Sequence, residues 1–198
     1  MGKDDDRGAR PYVVLSCAIS VDGYLDDATD QRLILSGADD LDRVDEVRAG
    51  CDAILVGANT VRKDNPRLVL RSSARQAQRA ARSQAPHPMK VTVTRSGDLD
   101  PDAGFFTAGD AEKLVYAASP AAPKLRAELR GRGEVIDAGD PVRLDWLLDH
   151  LASRGVRRLM AEGGAQILGW FLNDGLADEL QLVVAPVFVG DPTAPHWA

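Results

Sequence analysis

The chain is poor in the residues that build cysteine scaffolds and histidine sites: its 198 residues include 2 cysteines and 3 histidines, and 5% are aromatic. Cys17 and Cys51 show none of the paired spacings that hold zinc, and two thiols do not make a disulfide framework. A reducing, cytoplasmic setting is therefore the expectation. His87, His150 and His196 lie far apart in sequence, which argues against a metal site and against a histidine-based triad. No apolar run approaches the roughly 18 residues needed to span a bilayer, so no membrane partner is expected. The charged start, Met1 to Arg7, lacks the apolar stretch of a signal peptide, and residues 1–10 read as a disordered leader. Also missing are a Gly-x-Ser-x-Gly elbow, a phosphate loop ending in Gly-Lys-Ser/Thr, the zinc-deaminase signature and the six-position dinucleotide fingerprint. A formal charge of -6 disfavours non-specific binding to nucleic acid, while leaving room for an anionic small ligand.

What is present is an alternation of short apolar runs with amphipathic stretches. Tyr12 to Ala18 is apolar and β-branched, as a first strand would be. Asp39 to Ala49 carries Leu41, Val44 and Val47 at helical spacing, with acids in its first turn and Gly50 at its end. Ala53 to Val56 reads as a buried strand closed by Gly57, followed by a helical turn around residues 59–62. Further strands are predicted at 90–94, 114–117, 135–136, 158–161 and 179–184, with 186–190 extending the last. Helices are predicted at 120–130, 142–153 and 165–173. The stretch 71–88 has no clear period and reads as a surface excursion, partly helical or disordered. Strands alternating with helices predict one α/β domain over 11–198, with a mainly parallel central sheet and helices on both faces.

Chemistry concentrates at three strand ends. Beyond Gly57 come Thr60, Lys63, Asp64, Pro66, Arg67 and Arg71, and in open α/β sheets ligands bind where strands end. Arg32, Arg48, Lys63, Arg67 and Arg71 are candidate anion contacts, set against the plainer reading of a solvated loop. Arg48 would also suit the C-terminal dipole of its helix. Glu162-Gly163-Gly164 falls between a strand and a helix, where glycines let backbone N–H groups approach a phosphate. A tight strand–helix turn would need the same glycines. Glu162 itself is poorly placed for core packing. Ser20-Val21-Asp22-Gly23 ends the first strand and contains a common turn pair.

In order along the chain stand Ala18 to Gly23, Arg48-Ala49, Gly57/Thr60/Val61/Asp64 to Leu68, Glu162 to Gly164, Asp178-Glu179-Leu180, Ala185-Pro186 and Val189-Gly190. This ordered set resembles the pyrimidine reductases of riboflavin biosynthesis, a family with the dihydrofolate-reductase fold, over roughly residues 11 to 190. The stand-alone form is the nearer likeness, because no deaminase half is present. The resemblance implies NADPH-dependent reduction of a ribosylaminopyrimidine 5′-phosphate by hydride transfer to C1′ of the open-chain imine. It implies cofactor contacts at Ile19, Ile34, Thr60, Asp64, Ser96, Gly163, Gly164, Ala165, Gln166 and Ile167. Substrate contacts would fall on Arg32, Arg48, Leu68, Arg71 and Glu162. Asp64 and Glu162 are the carboxylates available for catalysis, Asp64 as a positioning or electrostatic residue and Glu162 toward the substrate. Arg95-Ser96 would meet the 2′-phosphate of NADPH. Where the fused bacterial enzymes carry Ser and Trp, this chain has Arg32 and Ile34, and its Arg looks like the archaeal form. The family usually continues beyond Gly190 with further strands, so the C-terminal strands read as shortened: either the sequence is truncated, or the second subunit of a homodimer closes the exposed edge. Two other readings remain: a dihydrofolate-type or other NADPH-dependent reductase of this fold, and a dinucleotide-binding protein without turnover.

Overall fold

The computed structural model describes residues 10–29 and 33–196. Apart from Arg10, the expected leader lies outside the described residues. Seven strands run β1 (Tyr12–Ser20), β2 (Ala53–Gly57), β3 (Met89–Thr94), β4 (Lys113–Ala117), β5 (Glu134–Asp137), β6 (Arg158–Glu162) and β7 (Glu179–Ala185). The helices between them are α1 (Ala38–Ala49), α2 (Ala58–Asp64), α3 (Ser73–Ala81), α4 (Gly104–Thr107), α5 (Ala122–Glu128), α6 (Leu144–Ser153) and α7 (Ala165–Asn173). The strands form one sheet in the order β5-β4-β3-β2-β6-β1-β7, and every pairing in it is parallel.

Why the apolar runs are nearly continuous follows from this layering. β2 is buried at all its positions because both faces of the sheet are covered there. On one face Val13, Leu15, Leu55, Val91 and Leu159 meet α6 and α7 through Leu147, Leu151, Leu168 and Phe171. On the other, Ile54, Val56, Val115 and Ala117 meet α2, α4 and α5 through Val61, Phe105 and Leu125. Fully burying a Leu or Phe side chain is worth about 1.5–3 kcal/mol, so these two layers hold the sheet.

Three local results settle or depart from the sequence-based expectations, the first being the partly helical reading of 71–88. The stretch after Arg71 contains a regular helix, α3, whose N-cap Ser72 accepts a hydrogen bond from the Arg75 amide at 3.3 Å. Its Arg79 is buried and donates to the carbonyls of Ala49, Cys51 and Ala85, closing the C-terminal end of α1. Residues 186–190 do not extend β7. Pro186 has no N–H for a ladder, Val187 N turns back to Ala185 O at 2.7 Å, and the Asp22 carboxylate takes the amides of Val189 and Gly190 at 3.1 and 2.8 Å. The sequence reading also gave no helix at α4. Buried Lys90 donates to the Phe105 and Ala108 carbonyls there, at 3.1 and 2.5 Å.

The strand order creates the crevice. The chain passes from β1 to β2 and outward to β5, then returns to insert β6 between β1 and β2. The C-terminal ends of β2 and β6 therefore lie side by side at a change in winding direction, where ligands bind in open α/β sheets.

Candidate active site

A cleft of about 1580 Å³ crosses the C-terminal ends of the sheet, from Ser16 to Ala18 of β1, past Gly57 and Glu162, to Thr94 and Ala118 beyond. At its centre Arg48, in the last turn of α1, faces Glu162, the last residue of β6. Nε of Arg48 donates to Oε1 of Glu162 and Nη2 donates to Oε2, both at 2.6 Å. The two side chains are 15% and 14% exposed. Burial alone would pull the guanidinium's pKa down, but the charge and hydrogen bonds of Glu162 outweigh it and raise that pKa. The result is a fixed, bidentate ion pair at the mouth of the strand-end crevice. Nη1 of Arg48 takes no part in it.

Beside this pair the chain turns through Gly163 and Gly164, at φ 61° and 73°, into α7. No side chain caps this helix, and the amides of Ile167 and Leu168 already bond back to Gly164 O. The amides of Ala165 and Gln166 are therefore the open donors of the first turn, at the positive end of the helix dipole. Thr60 of α2 crowds the same turn: a Cβ on Gly164 would lie 3.1 Å from its Oγ1. A Cβ on Gly57 would likewise come within 2.9 Å of Ile167 Cγ1, so glycine lets β2 and α7 approach. An uncapped helix start, two positive-φ glycines and a facing hydroxyl fit the pyrophosphate of a dinucleotide.

The cations of the cleft separate into two groups. Lys63 pairs with Asp26 at 2.7 Å, and Asp26 also accepts from Leu33 N at 2.8 Å, so this pair pins the cleft's lip. Arg43 is engaged by Asp40 and Gln181, and Arg62 by the Asp98 carbonyl. The side chains of Arg67, Arg71 and Arg95 have no hydrogen bond or ion pair among the described residues, and all three line the cleft.

Most residues singled out from sequence come together here. Ile34, Arg48, Thr60, Asp64, Leu68, Arg71, Ser96 and the run from Glu162 to Ile167 all line the cleft. Ile34 stands 76% exposed on the lip. Ile19 is buried in β1 and does not line the wall, while Arg32 lies outside the described residues. The Asp22 turn, by contrast, fastens residues 189–190 to the end of β1. Sequence reasoning passed over Ser16, which lines the cleft and is in register with Glu162 across β1 and β6. A lone hydroxyl within the apolar run Val13 to Cys17 was the available signal.

A parallel sheet with its crevice at the switch in strand order, and a glycine turn feeding an open helix start, make an α/β architecture with a ligand-sized cleft, of the dihydrofolate-reductase-like fold. Residues 11–197 match the RibD C-terminal domain, and the chain belongs to that family. It is 40% identical over 183 residues to the 2,5-diamino-6-ribosylamino-4(3H)-pyrimidinone 5′-phosphate reductase of Methanothermobacter thermautotrophicus, covering 91% of this chain and 80% of that one. With the enzyme of the same name from Archaeoglobus fulgidus it shares 35% over 188 residues, 94% of this chain and 85% of the other. The crystal structure of a pyrimidine reductase-like protein from Corynebacterium diphtheriae matches with a TM-score of 0.82, over 95% of this chain and 79% of that one. At 23% identity that last likeness is one of fold. The chain is an oxidoreductase, and among the described residues no helix is long and apolar enough to cross a membrane.

Proposed function

We propose that this protein reduces a ribosylaminopyrimidine 5′-phosphate to its ribitylamino counterpart with NADPH, as a cytoplasmic homodimer. The observation that carries the reading is the Arg48–Glu162 pair adjoining the Gly163–Gly164 turn within one cleft. NADPH, when bound, supplies the hydride that C1′ of the open-chain imine accepts. The protein's work is placement, holding donor and acceptor carbons about 3–3.5 Å apart and keeping water out. The Ala165 and Gln166 amides and the Thr60 hydroxyl suit the cofactor's pyrophosphate. Ile34 and Ile167 offer apolar contacts to the rest of the cofactor, and Arg95 with Ser96 suits the 2′-phosphate. Arg71, Leu68, Arg48 and Glu162 take the substrate, joined by Arg32. Because Arg48 occupies both oxygens of Glu162, this carboxylate orients the substrate as an acceptor. Asp64, in the last turn of α2, acts as a positioning or electrostatic residue.

What supports a homodimer is β7. Among the described residues it pairs with β1 alone, so its outer edge is open. One face carries Leu180, Leu182 and Val184, exposed by 41%, 38% and 57%, and Phe188 beyond it is 75% exposed. An open edge with an apolar stripe invites a second copy.

The functional reading is tested by following NADPH oxidation with the ribosylaminopyrimidine phosphate and, separately, with dihydrofolate. Stoichiometric consumption with the first and none with the second is expected. NADPH binding without turnover of the pyrimidine would overturn it. Equal efficiency with NADH would remove the assignment of Arg95 and Ser96.

A further inference from the structure

We propose that Asp45 is a positioning residue for the anionic end of the substrate, acting through Arg71 and Arg48 without touching the substrate itself. The inference rests on the reductase reading above and adds to it a residue outside the cleft. Asp45 is the buried residue of α1, only 2% exposed. A buried carboxylate is costly unless its oxygens are satisfied, and an apolar contact would join α1 to α3 as well. Here Oδ1 accepts from the Arg71 amide at 2.6 Å, while Oδ2 accepts from the Ser72 amide at 3.2 Å and Arg75 Nη1 at 3.1 Å. One carboxylate therefore grips two successive backbone amides at the end of the cleft wall.

That wall is strained and needs holding. Asn65 and Leu68 adopt positive φ, 44° and 47°, a region non-glycine residues occupy at a cost when their surroundings fix them. The first clamp is Asn65 Oδ1, which accepts from Gly104 N at 2.6 Å. Asp45 is the second. Between the clamps, Leu68 turns inward and the guanidinium groups of Arg67 and Arg71 face the cleft with no partner among the described residues. Arg75 pairs with Asp42 and with Oδ2 of Asp45. Arg48 follows Asp45 by one helical turn on α1, and the charge of Asp45 further supports its cation.

The experiment compares Asp45→Asn with Arg75→Gln. The amide of Asn offers one acceptor where two backbone donors converge, whereas Arg75→Gln removes ion pairs but leaves both amide bonds. For Asp45→Asn, KM for the ribosylaminopyrimidine phosphate should rise about tenfold with kcat and the KM for NADPH nearly unchanged. Arg75→Gln should lower the melting temperature without moving either KM. An unmoved substrate KM in Asp45→Asn, or equal rises in both KM values, overturns the proposal. If Asp45→Asn does not fold, wild-type amide exchange decides: slow exchange at Arg71 and Ser72 supports the clamp, and exchange at open-loop rates refutes it. Absence of wild-type turnover would instead strike the reductase reading, which keeps the two failures apart.

Discussion

Replacing Glu162 by Gln is the perturbation most informative about the cleft. Gln has nearly the same shape, but its carbonyl oxygen can accept from only one Arg48 donor, and its NH2 group meets the other as donor against donor. One of the two 2.6 Å charge-assisted bonds is lost, and the Arg48 cation stays only 15% exposed. A hydrogen bond to a charged group is worth about 1.5–3 kcal/mol, against roughly 0–1 for a surface ion pair. The partial exposure of this pair places the loss near the lower half of that range, about 2 kcal/mol. At about 2–4 °C per kcal/mol for a chain of this size, the melting temperature should fall by about 4–8 °C. If Glu162 also orients the substrate, kcat/KM should fall about tenfold to a hundredfold, while NADPH affinity holds because the start of α7 is untouched. Arg48→Lys keeps the charge without the fork and should move both quantities in the same direction. Thermal unfolding and steady-state kinetics read the two effects separately. A variant that melts within about 1 °C of wild type and turns over normally would refute the reasoning.

Gly164→Ala should raise the KM for NADPH and cost about 1–3 kcal/mol in stability, since its φ is 73° and the new Cβ lies 3.1 Å from Thr60 Oγ1. Unchanged cofactor affinity would contradict the role given to that turn. Leu182→Arg with Val184→Lys on the exposed face of β7 should yield a monomer by light scattering; a variant still dimeric would show that the interface lies elsewhere. Burial pushes both cysteine thiols up to about 11, for Cys51 against the opposing effect of Arg158, so neither should react with a thiol reagent near pH 8 until the protein is unfolded. For Asp22, desolvation works upward, but hydrogen bonds from Ser20, Gly190 and Val189 outweigh it and bring the pKa to about 2. Its contribution is thus present above the ordinary value of 3.8 and is lost as pH falls through about 2. Wild type should exceed Asp22→Asn in stability above pH 4, with the gap closing toward pH 2 in acid titrations followed by circular dichroism.

How much of this was legible in sequence depends on how local each signal is. The bounds of α7 and the burial of β2 follow from apolar period and glycine placement within a few residues, and both match the sequence reading. Glu162 stood out because a carboxylate at a strand end has no packing use, yet its partner could not be read. Arg48 lies 114 positions away and meets it only through the insertion of β6 beside β2. In the stretch after Arg71 the partly helical reading held, but its packing could not be read for the same reason. The carbonyls that make Arg79 a buried clamp belong to α1 and its exit, which composition cannot reveal. Nothing in the sequence marks Asp45 out among the acids of α1, and its burial depends on a contact with the far end of the loop that follows α2. The expected extension over residues 186–190 had apolar composition in its favour, but Pro186 has no N–H, Val187 N turns back to Ala185, and Asp22 claims the amides of Val189 and Gly190.

The most direct test is a crystal structure of the protein with NADPH and the ribosylaminopyrimidine phosphate bound. The cofactor's pyrophosphate should rest on the Ala165 and Gln166 amides opposite Thr60. The substrate should lie between the nicotinamide and the Arg48–Glu162 pair, with its phosphate toward Arg71. A cofactor bound away from the Gly163–Gly164 turn, or a substrate that touches neither Arg48 nor Glu162, would contradict the assignment of this cleft as a reductase site.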